Sequence, residues 1–353
     1  MNLEYYQELD PAELKKRIQQ TRDKLRKKLF ILAHYYQSDE MVDFSDAQGD
    51  SFALASQGAQ NKEAQYIVFC GVRFMAEASA TLARKGQRVF MPDTDAGCPL
   101  ADCADIDQVE QAWQALQEVG VAQDVIPITY MNSSSELKAF CGKNGGLVCT
   151  SSNAPKAFDW ALKQKPKIFF FPDEHLGRNT ANAKNIAKSE TVVWDPLKEQ
   201  GGLSRNDLQS AKVILWKGFC HVHTFFNLEH IKQMREKYPG CKIAVHPECP
   251  QEVVQAADGN GSTAYLKKFV EEDNSGKTLV IGTEINMVAR LTKDNPNKKV
   301  VPLARSLCPN MFKTSLADLA YVLENLPNVN EVTVPSYIKD DAKLALERML
   351  TLT

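Results

Sequence analysis

The sequence has few of the features that would place it in a membrane or on a nucleic acid. No apolar run reaches the roughly 20 residues of a membrane-spanning helix, and the first residues carry neither the basic nor the apolar part of a secretory signal. The formal net charge is only −2, and the longest basic stretch covers residues 22–28. Nucleic-acid and membrane partners are therefore disfavoured, and we expect a cytoplasmic protein.

Cysteine is present, but not in the patterns of a disulfide framework or a zinc ribbon. The nine cysteines are odd in number in a chain of 353 residues, which together with the missing signal argues against disulfides. No Cys-x-x-Cys pair occurs, and the Cys-x-x-x-Cys-x-x-Cys of radical enzymes that cleave S-adenosylmethionine is absent. Reduced thiols or metal-bound thiolates are the alternatives that the composition leaves.

Three copies of one pattern of about 80 residues follow one another along the chain. Each copy has a turn that contains a serine, and the polar residue that follows the next apolar run comes a nearly constant number of residues later. The distances are 22, 22 and 21 residues, from Ser51 to Arg73, from Ser151 to Asp173 and from Ser262 to Thr283. The step to the final cysteine is 25 residues in copies one and three but 47 in copy two, which predicts an insertion within residues 179–210.

The fold class follows from short β-branched runs that alternate with helix-length segments. This alternation predicts an α/β protein built from βα units around parallel sheets. Ligands of such sheets bind beyond the carboxyl ends of the strands, so three copies facing a common axis would aim their strand ends at one cavity. The predicted division is an N-terminal helical segment, three αβα repeats and a C-terminal helical tail, over residues 1–28, 29–123, 124–240, 241–310 and 311–353.

Both ends of the chain carry amphipathic helical patterns. Residues 11–28 can place Leu14, Ile18 and Leu25 on one face. The tail predicts helices over residues 316–326 and 340–350, on either side of a short apolar stretch at residues 332–334.

Three cysteines occupy the same place at the end of successive copies: Cys98, Cys220 and Cys308. A single buried cysteine is more often inert packing, but equivalence in all three copies favours a shared role as ligands. Three thiolates on a 4Fe–4S cluster leave one iron open to water or substrate, where it acts as a Lewis acid suited to dehydration. Cys103 and Cys249 have no counterparts in the other copies, and we do not expect them to be ligands.

Polar rings and a carboxylate lie at strand ends or beside a predicted ligand. His34 and His246 end the first strand of copies one and three, where copy two has Tyr130. Glu248, two residues past His246, is the carboxylate that can pair with an imidazole for proton transfer. His221 follows Cys220 and should lie within reach of a ligand bound there, and Tyr36, two residues past His34, adds a phenol. We interpret the other three histidines as ordinary core or surface residues: His175, His223 and His230.

Hydroxyl-rich turns precede several predicted helices, at residues 132–135, 150–153 and 261–263. Helix N-capping explains one Ser or Thr at each turn. A helix N-terminus is also an anion site, so several of them around one cavity would suit a substrate with carboxylate and phosphate groups. Arg73 could belong to such a site or to a structural salt bridge.

Short motifs stand at all these landmarks. They are Ala33-His34-Tyr35-Tyr36, Gly49-Asp50-Ser51, Gly71-Val72-Arg73-Phe74-Met75-Ala76-Glu77, residues 92–98, Thr129-Tyr130-Met131-Asn132, Thr150-Ser151-Ser152-Asn153-Ala154, Pro172-Asp173, Gly218-Phe219-Cys220-His221, His246-Pro247-Glu248, Gly261-Ser262-Thr263, Gly282-Thr283-Glu284 and Cys308-Pro309-Asn310-Met311. Together they resemble the quinolinate synthase A family of NAD biosynthesis, from about residue 29 to residue 311 and more weakly into the tail.

The resemblance implies a fold, a cofactor and a reaction. The fold is three homologous αβα domains around a pseudo-threefold axis, with a central 4Fe–4S cluster held by one cysteine from each domain. The family condenses iminoaspartate with dihydroxyacetone phosphate to quinolinate, and L-aspartate oxidase or dehydrogenase would supply the iminoaspartate. Some members have a Cys-x-x-Cys-x-x-Cys at the third ligand, where this chain has only Cys308.

The resemblance also implies residue roles. The proton-transfer set is Tyr36, His221 and Glu248. The implied substrate contacts are His34, Ser51, Tyr130, Asn132, Ser151, His246, Glu248, Ser262 and Thr263.

Two other classes of protein are alternatives to a quinolinate synthase. An iron or redox sensor could use the same three cysteines, but it would not need the polar strand ends. A phosphosugar aldolase or isomerase without metal would not need the repeated cysteines.

Overall fold

The computed structural model describes residues 2–352 and shows an α/β protein with two compact units. One unit comprises the residues up to Cys98 together with Leu307–Ser336, and the other comprises Pro99–Ser306 together with the residues from Tyr337 on. The strands are β1 Leu29–His34, β2 Ala47–Gly49, β3 Tyr66–Cys70, β4 Arg88–Phe90, β5 Val125–Tyr130, β6 Leu147–Cys149, β7 Lys167–Phe171, β8 Thr191–Trp194, β9 Val213–Trp216, β10 Lys242–Val245, β11 Gly259–Asn260, β12 Leu279–Gly282, β13 Val300–Pro302 and β14 Glu331–Val332.

Helices follow most of the strands. They are α1 Leu3–Gln7, α2 Pro11–Leu25, α3 Asp39–Val42, α4 Ser51–Gln60, α5 Arg73–Leu82, α6 Ile106–Val119, α7 Ser135–Lys143, α8 Ala154–Leu162, α9 Glu174–Ala183, α10 Arg205–Ser210, α11 His221–Thr224, α12 Leu228–Lys237, α13 Gln251–Ala256, α14 Thr263–Glu272, α15 Ile285–Asp294, α16 Leu316–Asn325 and α17 Ser336–Leu350. Among the residues that the structure describes, no helix is both long enough and apolar enough to cross a membrane.

The three sheets share one strand order. It runs β2-β1-β3-β4 in the first, β6-β5-β7-β9 in the second and β11-β10-β12-β13 in the third, and all these neighbours pair in parallel. The strand register is also equivalent in the three sheets. At matching positions near the carboxyl ends, β1 pairs with β3 through Ala33 and Cys70, β5 with β7 through Thr129 and Phe171, and β10 with β12 through Val245 and Gly282. The predicted α/β fold with three αβα repeats is confirmed.

Two further strands extend the shared pattern. The insertion of the second copy contains β8, which pairs in parallel with β9 at the sheet edge. From the tail, β14 pairs antiparallel with β4 in the first sheet, whereas α17 belongs to the other unit from Tyr337 on. The two predicted tail helices are present as Leu316–Asn325 and Ser336–Leu350.

The N-terminal helix α2 forms where its pattern predicts. Asp10 caps it by accepting hydrogen bonds from the backbone N–H groups of Ala12 and Glu13, at 2.9 and 3.1 Å. The predicted face is buried, since Leu14 and Ile18 are in the core and Leu25 packs against it. The α-helix ends at Leu25 and a short 3₁₀ turn continues to Lys28.

The central strands read as unbroken apolar runs because both of their faces are covered. Every residue of β5, β9 and β12 is buried, as expected for parallel strands between helical layers. Polar groups are therefore concentrated at the carboxyl ends of the strands, where the candidate site residues lie.

Candidate active site

A buried carboxylate, Glu248, is at the centre of a hydrogen-bonded network in the turn after β10. Its side chain is only 3% exposed. The Tyr130 hydroxyl donates to Oε1 over 2.5 Å, and the His223 Nδ1 lies 2.8 Å from Oε2. On the other side of the ring, His223 Nε2 lies 3.1 Å from the Thr283 hydroxyl. Side chains from the ends of β5, β10 and β12 and from helix α11 are thereby joined into one chain of polar contacts.

The network keeps Glu248 ionised. Burial alone would raise its pKa, but the nearby His223 and His246 and the hydrogen bonds from His223 and Tyr130 outweigh burial and lower the pKa to about 2. An ionised carboxylate only accepts hydrogen bonds, so the His223 Nδ1 must donate. When His223 is neutral, its Nε2 accepts from the Thr283 hydroxyl.

His246 is oriented by the same turn. Its ring stacks on His223, with centroids 4.2 Å apart and planes 17° apart. The Nδ1 of His246 accepts the backbone N–H of Glu248 over 3.4 Å, which places the proton of a neutral ring on Nε2. His246 therefore presents a donor on the side away from the turn.

A second buried carboxyl, Asp173, belongs to the electrostatic environment of Glu248. Its Oδ1 accepts the Leu176 N–H over 2.6 Å as the N-cap of α9, while Oδ2 is buried with no hydrogen-bond partner among the described residues. Burial raises the pKa of Asp173 well above its ordinary value, and the charge of Glu248 raises it further. The pKa values of the two neighbouring carboxyls are therefore shifted in opposite directions, which is a common arrangement in acid–base sites.

Cys220 lies beside the Glu248 network. It precedes α11 at the end of the second sheet and is partly exposed. One ligand-type atom each from Cys220, His223 and Glu248 lies within 4.8 Å of the other two. This donor set could hold a metal ion, although His223 Nδ1 and Glu248 Oε2 are already bonded to each other. The predicted cluster ligand and the predicted base are therefore neighbours within one unit.

His221 follows Cys220 as the first residue of α11. Its Nε2 is buried and has no hydrogen-bond partner among the described residues. A buried imidazole nitrogen without a hydrogen bond costs free energy, so a ligand or water bound to this atom would remove that cost.

In the other unit, His34 and Tyr36 form a compact turn after β1. The His34 Nδ1 accepts the Tyr36 N–H over 3.2 Å, and the two rings meet edge to face at 4.8 Å. Ser51 begins α4 directly after Asp50, whose side chain caps that helix at Ala53 N over 2.8 Å. Ser51 therefore does not serve as the cap.

The turn after β5 carries Asn132, which is partly buried. The Ser133 hydroxyl donates to the Tyr130 carbonyl over 2.7 Å, and the fully buried Lys138 donates to the Ser133 carbonyl. These bonds hold Tyr130 and Asn132 on one rigid turn.

The remaining hydroxyl turns differ in what they cap. Ser262 caps α14 through its Oγ, which accepts the Tyr265 N–H over 3.3 Å, and the buried Thr263 follows as the first helical residue. Ser151 is partly buried before α8, in a turn that Asn153 closes by accepting the Thr150 N–H over 2.7 Å. Capping is thus a demonstrated role for Ser262 but not for Ser151 or Thr263.

Arg73 forms the structural ion pair that was one of its two predicted alternatives. Its Nε lies 3.1 Å from Glu77 Oε1, one helical turn further along α5, and its side chain is 61% exposed.

The cysteines fall into two groups by burial. Cys98, Cys220 and Cys308 follow the fourth strand of the shared pattern in each sheet, and all three are partly exposed. Five others are buried, and burial raises the pKa of each thiol: Cys70, Cys141, Cys149, Cys241 and Cys249. Cys103 is partly exposed, but its Sγ lies 3.3 Å from the Pro99 carbonyl and burial raises its pKa. The three repeat-equivalent thiols suit thiolate ligation best.

Comparison with known proteins agrees with these features. The family model described as "Quinolinate synthetase A protein" matches residues 16–351. The chain belongs to this family. It is 46% identical to the quinolinate synthase of Geobacillus thermodenitrificans, with 99% of this chain and 96% of the relative aligned. For the quinolinate synthase of Bacillus subtilis the identity is 44% at the same coverage, and for that of Nocardioides it is 47%, with 97% of this chain and 90% of the relative aligned.

The sequence pattern did not predict a role for His223 in the site. The prediction of an ordinary core or surface histidine agrees with its burial. Its Nδ1, however, makes the shortest imidazole contact to Glu248, whereas the His246 Nδ1 lies 3.8 Å from that carboxylate. The i, i+3 spacing from Cys220 to His223 across a helical turn was the available signal, because such residues share a face.

Proposed function

We propose that this protein is a quinolinate synthase of NAD biosynthesis. The reaction joins iminoaspartate to dihydroxyacetone phosphate and releases phosphate and two waters as the pyridine ring closes, so no external oxidant or reductant is needed. Family membership and named relatives support the activity. The observation that carries the proposal is the ionised, buried Glu248 beside Cys220, since the reaction requires proton removal next to a leaving hydroxyl.

Glu248 is proposed to take the proton in dehydration. Its Oε1 and Oε2 are oriented by Tyr130 and His223, so little rearrangement is needed when it accepts a proton. His223 can respond to that change because its Nε2 contacts the Thr283 hydroxyl. Tyr36 and His221 are the proposed partners that return a proton to the leaving oxygen.

Substrate oxygens are proposed to bind at the strand-end turns. His34 and His246 both carry their neutral-ring proton on Nε2, which suits a carboxylate or phosphate oxygen. Helix N-termini beside several of these turns add N–H donors. The proposed contacts are His34, Ser51, Tyr130, Asn132, Ser151, His246, Glu248, Ser262 and Thr263.

Cys98, Cys220 and Cys308 are proposed to hold a 4Fe–4S cluster. Their equivalent places after β4, β9 and β13 and their partial exposure support this assignment. With three thiolate ligands, such a cluster offers one iron as a Lewis acid for a leaving hydroxyl. Iminoaspartate is unstable, and we propose that L-aspartate oxidase or dehydrogenase supplies it.

The test is anaerobic purification, iron and sulfide analysis, and assay of quinolinate from dihydroxyacetone phosphate and iminoaspartate generated in place. We expect Cys98→Ser, Cys220→Ser and Cys308→Ser each to lose the brown absorbance and the product, whereas Cys103→Ser keeps both. A parent protein that holds the cluster but forms no quinolinate would indicate a sensor. Quinolinate formation without iron would remove the cluster from the proposal.

A further inference from the structure

An asparagine in α9 fastens the loop that carries Glu248. Asn179 is 7% exposed, and its Nδ2 donates to the carbonyl of Pro247 over 2.8 Å and to that of Cys249 over 2.9 Å. These carbonyls lie immediately before and after Glu248. A single amide therefore fixes the peptide groups on both sides of the proposed base.

Asparagine is energetically unfavourable at a buried position inside a helix unless its side chain is hydrogen-bonded. It has a lower helix propensity than alanine or leucine, and its buried amide costs free energy unless it is hydrogen-bonded. Its presence inside a ten-residue helix is accounted for by the two carbonyls that it satisfies.

Helix α9 is fixed against the second sheet, so a side chain on this helix can fix the position of the loop that carries Glu248. The Glu174 N–H donates to the Gly218 carbonyl over 2.8 Å, two residues before Cys220. Gly177 lets the helix approach the sheet closely, because a Cβ there would lie 2.5 Å from a Leu215 methyl and 2.6 Å from the Phe170 ring. The helix thus connects the strand end that carries Cys220 to the turn that carries Glu248.

We propose that Asn179 is a positioning residue that holds Glu248 in reach of Tyr130 and His223 for proton transfer. The inference rests on the proposed function of Glu248. Asn179 does not act on the substrate itself. Its two hydrogen bonds set the direction in which the Glu248 side chain leaves the backbone.

The primary test compares Asn179→Ala with Thr180→Val in the cluster-loaded enzyme. Thr180 is the next residue of α9, is 4% exposed and donates only within the helix, to the Leu176 carbonyl over 2.7 Å. We expect Asn179→Ala to lower kcat by about 10–100-fold, as small misplacements of catalytic groups do, with a smaller change in KM. Thr180→Val should keep kcat within about threefold of the parent, since it loses a comparable bond away from the loop.

A double-mutant cycle separates positioning from general destabilisation. If Asn179 acts through Glu248, adding Asn179→Ala to Glu248→Gln should lower the single-turnover rate by less than about threefold further. Asn179→Ser retains one donor and should give an intermediate kcat, and it serves in place of Asn179→Ala if that variant fails to fold.

Two outcomes would overturn the inference while leaving the proposed function intact. One is a parental kcat in Asn179→Ala, and the other is a full, independent loss of rate in the Glu248→Gln background. A parent enzyme that forms no quinolinate would instead refute the proposed function.

Discussion

Two strand-end turns, one in each unit, use the same local geometry to orient a histidine. After β1 the Nδ1 of His34 accepts the N–H of Tyr36, and after β10 the Nδ1 of His246 accepts the N–H of Glu248. In both turns the donor is two residues beyond the histidine. The repeat therefore supplies the same imidazole tautomer twice from backbone geometry alone.

The two turns differ in the side chain that follows the histidine. Tyr36 is a partly exposed phenol whose ring meets the His34 ring edge to face at 4.8 Å. Glu248 is a buried anion bonded to Tyr130 and His223. The shared turn geometry therefore fixes the outward Nε2 donor of the histidine, whereas the side chain two residues after the histidine determines whether the turn also provides a base.

The sharpest test of this difference replaces the side chain two residues after each histidine. Glu248→Gln keeps the shape of the side chain but removes its basicity, so turnover should fall by about 10²–10⁴-fold while the cluster and ligand affinity survive. Tyr36→Phe should cost less, because a partly exposed phenol can be replaced in part by water. Single-turnover rates and ligand dissociation constants for both variants provide the measurement.

A larger loss of turnover in Tyr36→Phe than in Glu248→Gln would show that the turn after β1, and not the turn after β10, provides the main proton-transfer group. A Glu248→Gln protein with parental turnover would exclude that residue from proton transfer, whatever the result for Tyr36→Phe.

A second test replaces the histidines themselves. The asparagine Oδ1 can take the place of Nδ1, so His34→Asn and His246→Asn should preserve each turn but delete the outward Nε2 donor. Both should weaken substrate binding by about 1–3 kcal/mol. Only His246→Asn should also lower kcat, because the His246 ring stacks at 4.2 Å on His223, which is hydrogen-bonded to Glu248.

KM and kcat measured for both variants would decide this point. Equal kcat values would mean that the stacking of His246 on His223 has no part in the chemistry, and that the two turns differ only in the side chain two residues on.

Much of this architecture was predictable because its signals are local. Apolar runs such as Val213 to Trp216 are buried strands, and the equal spacings between turns correspond to sheets of equal strand order. The turns at His34 and His246 could be located because a parallel strand places its first polar residue at the edge of the sheet. The repeat then related positions that a single copy could not have distinguished.

What escaped prediction depends on contacts between distant segments. The bond between His223 and Glu248 joins residues 25 positions apart, and the sequence pattern did not show that the fold would bring His223, rather than His221 two residues earlier, to the turn after β10. Likewise, the insertion gave no sign that Thr191–Trp194 would extend the second sheet, since strand pairing is decided by the partner β9. The spacing pattern also gave no reason to single out Asn179.

The smallest expected effect concerns Asp173, the buried carboxyl that the His34 turn lacks. Its pKa is raised above the ordinary value of 3.8 by burial and by Glu248, so the folded protein holds a proton that the unfolded chain releases as the pH rises. Stability attributable to this group is therefore greatest below the unfolded pKa and falls as the pH climbs towards the folded pKa. Asp173→Asn cannot ionise and keeps the cap on Leu176 N, because Asn and Asp cap helices about equally well.

We therefore expect Asp173→Asn to raise the thermal unfolding midpoint at pH 8 and to raise it less at pH 5. The matched control is Asp105→Asn, which alters an exposed carboxyl that caps α6 in the same way, through the Gln108 N–H at 2.8 Å. This control measures what the loss of a capping carboxylate does at an exposed helix end, and we expect the difference in midpoint between the two variants to be larger at pH 8 than at pH 5. A gain for Asp173→Asn that is equal at pH 5 and pH 8 would mean that Asp173 is not held protonated, and Glu248 would then lack the neutral carboxyl that sets its turn apart from that of His34.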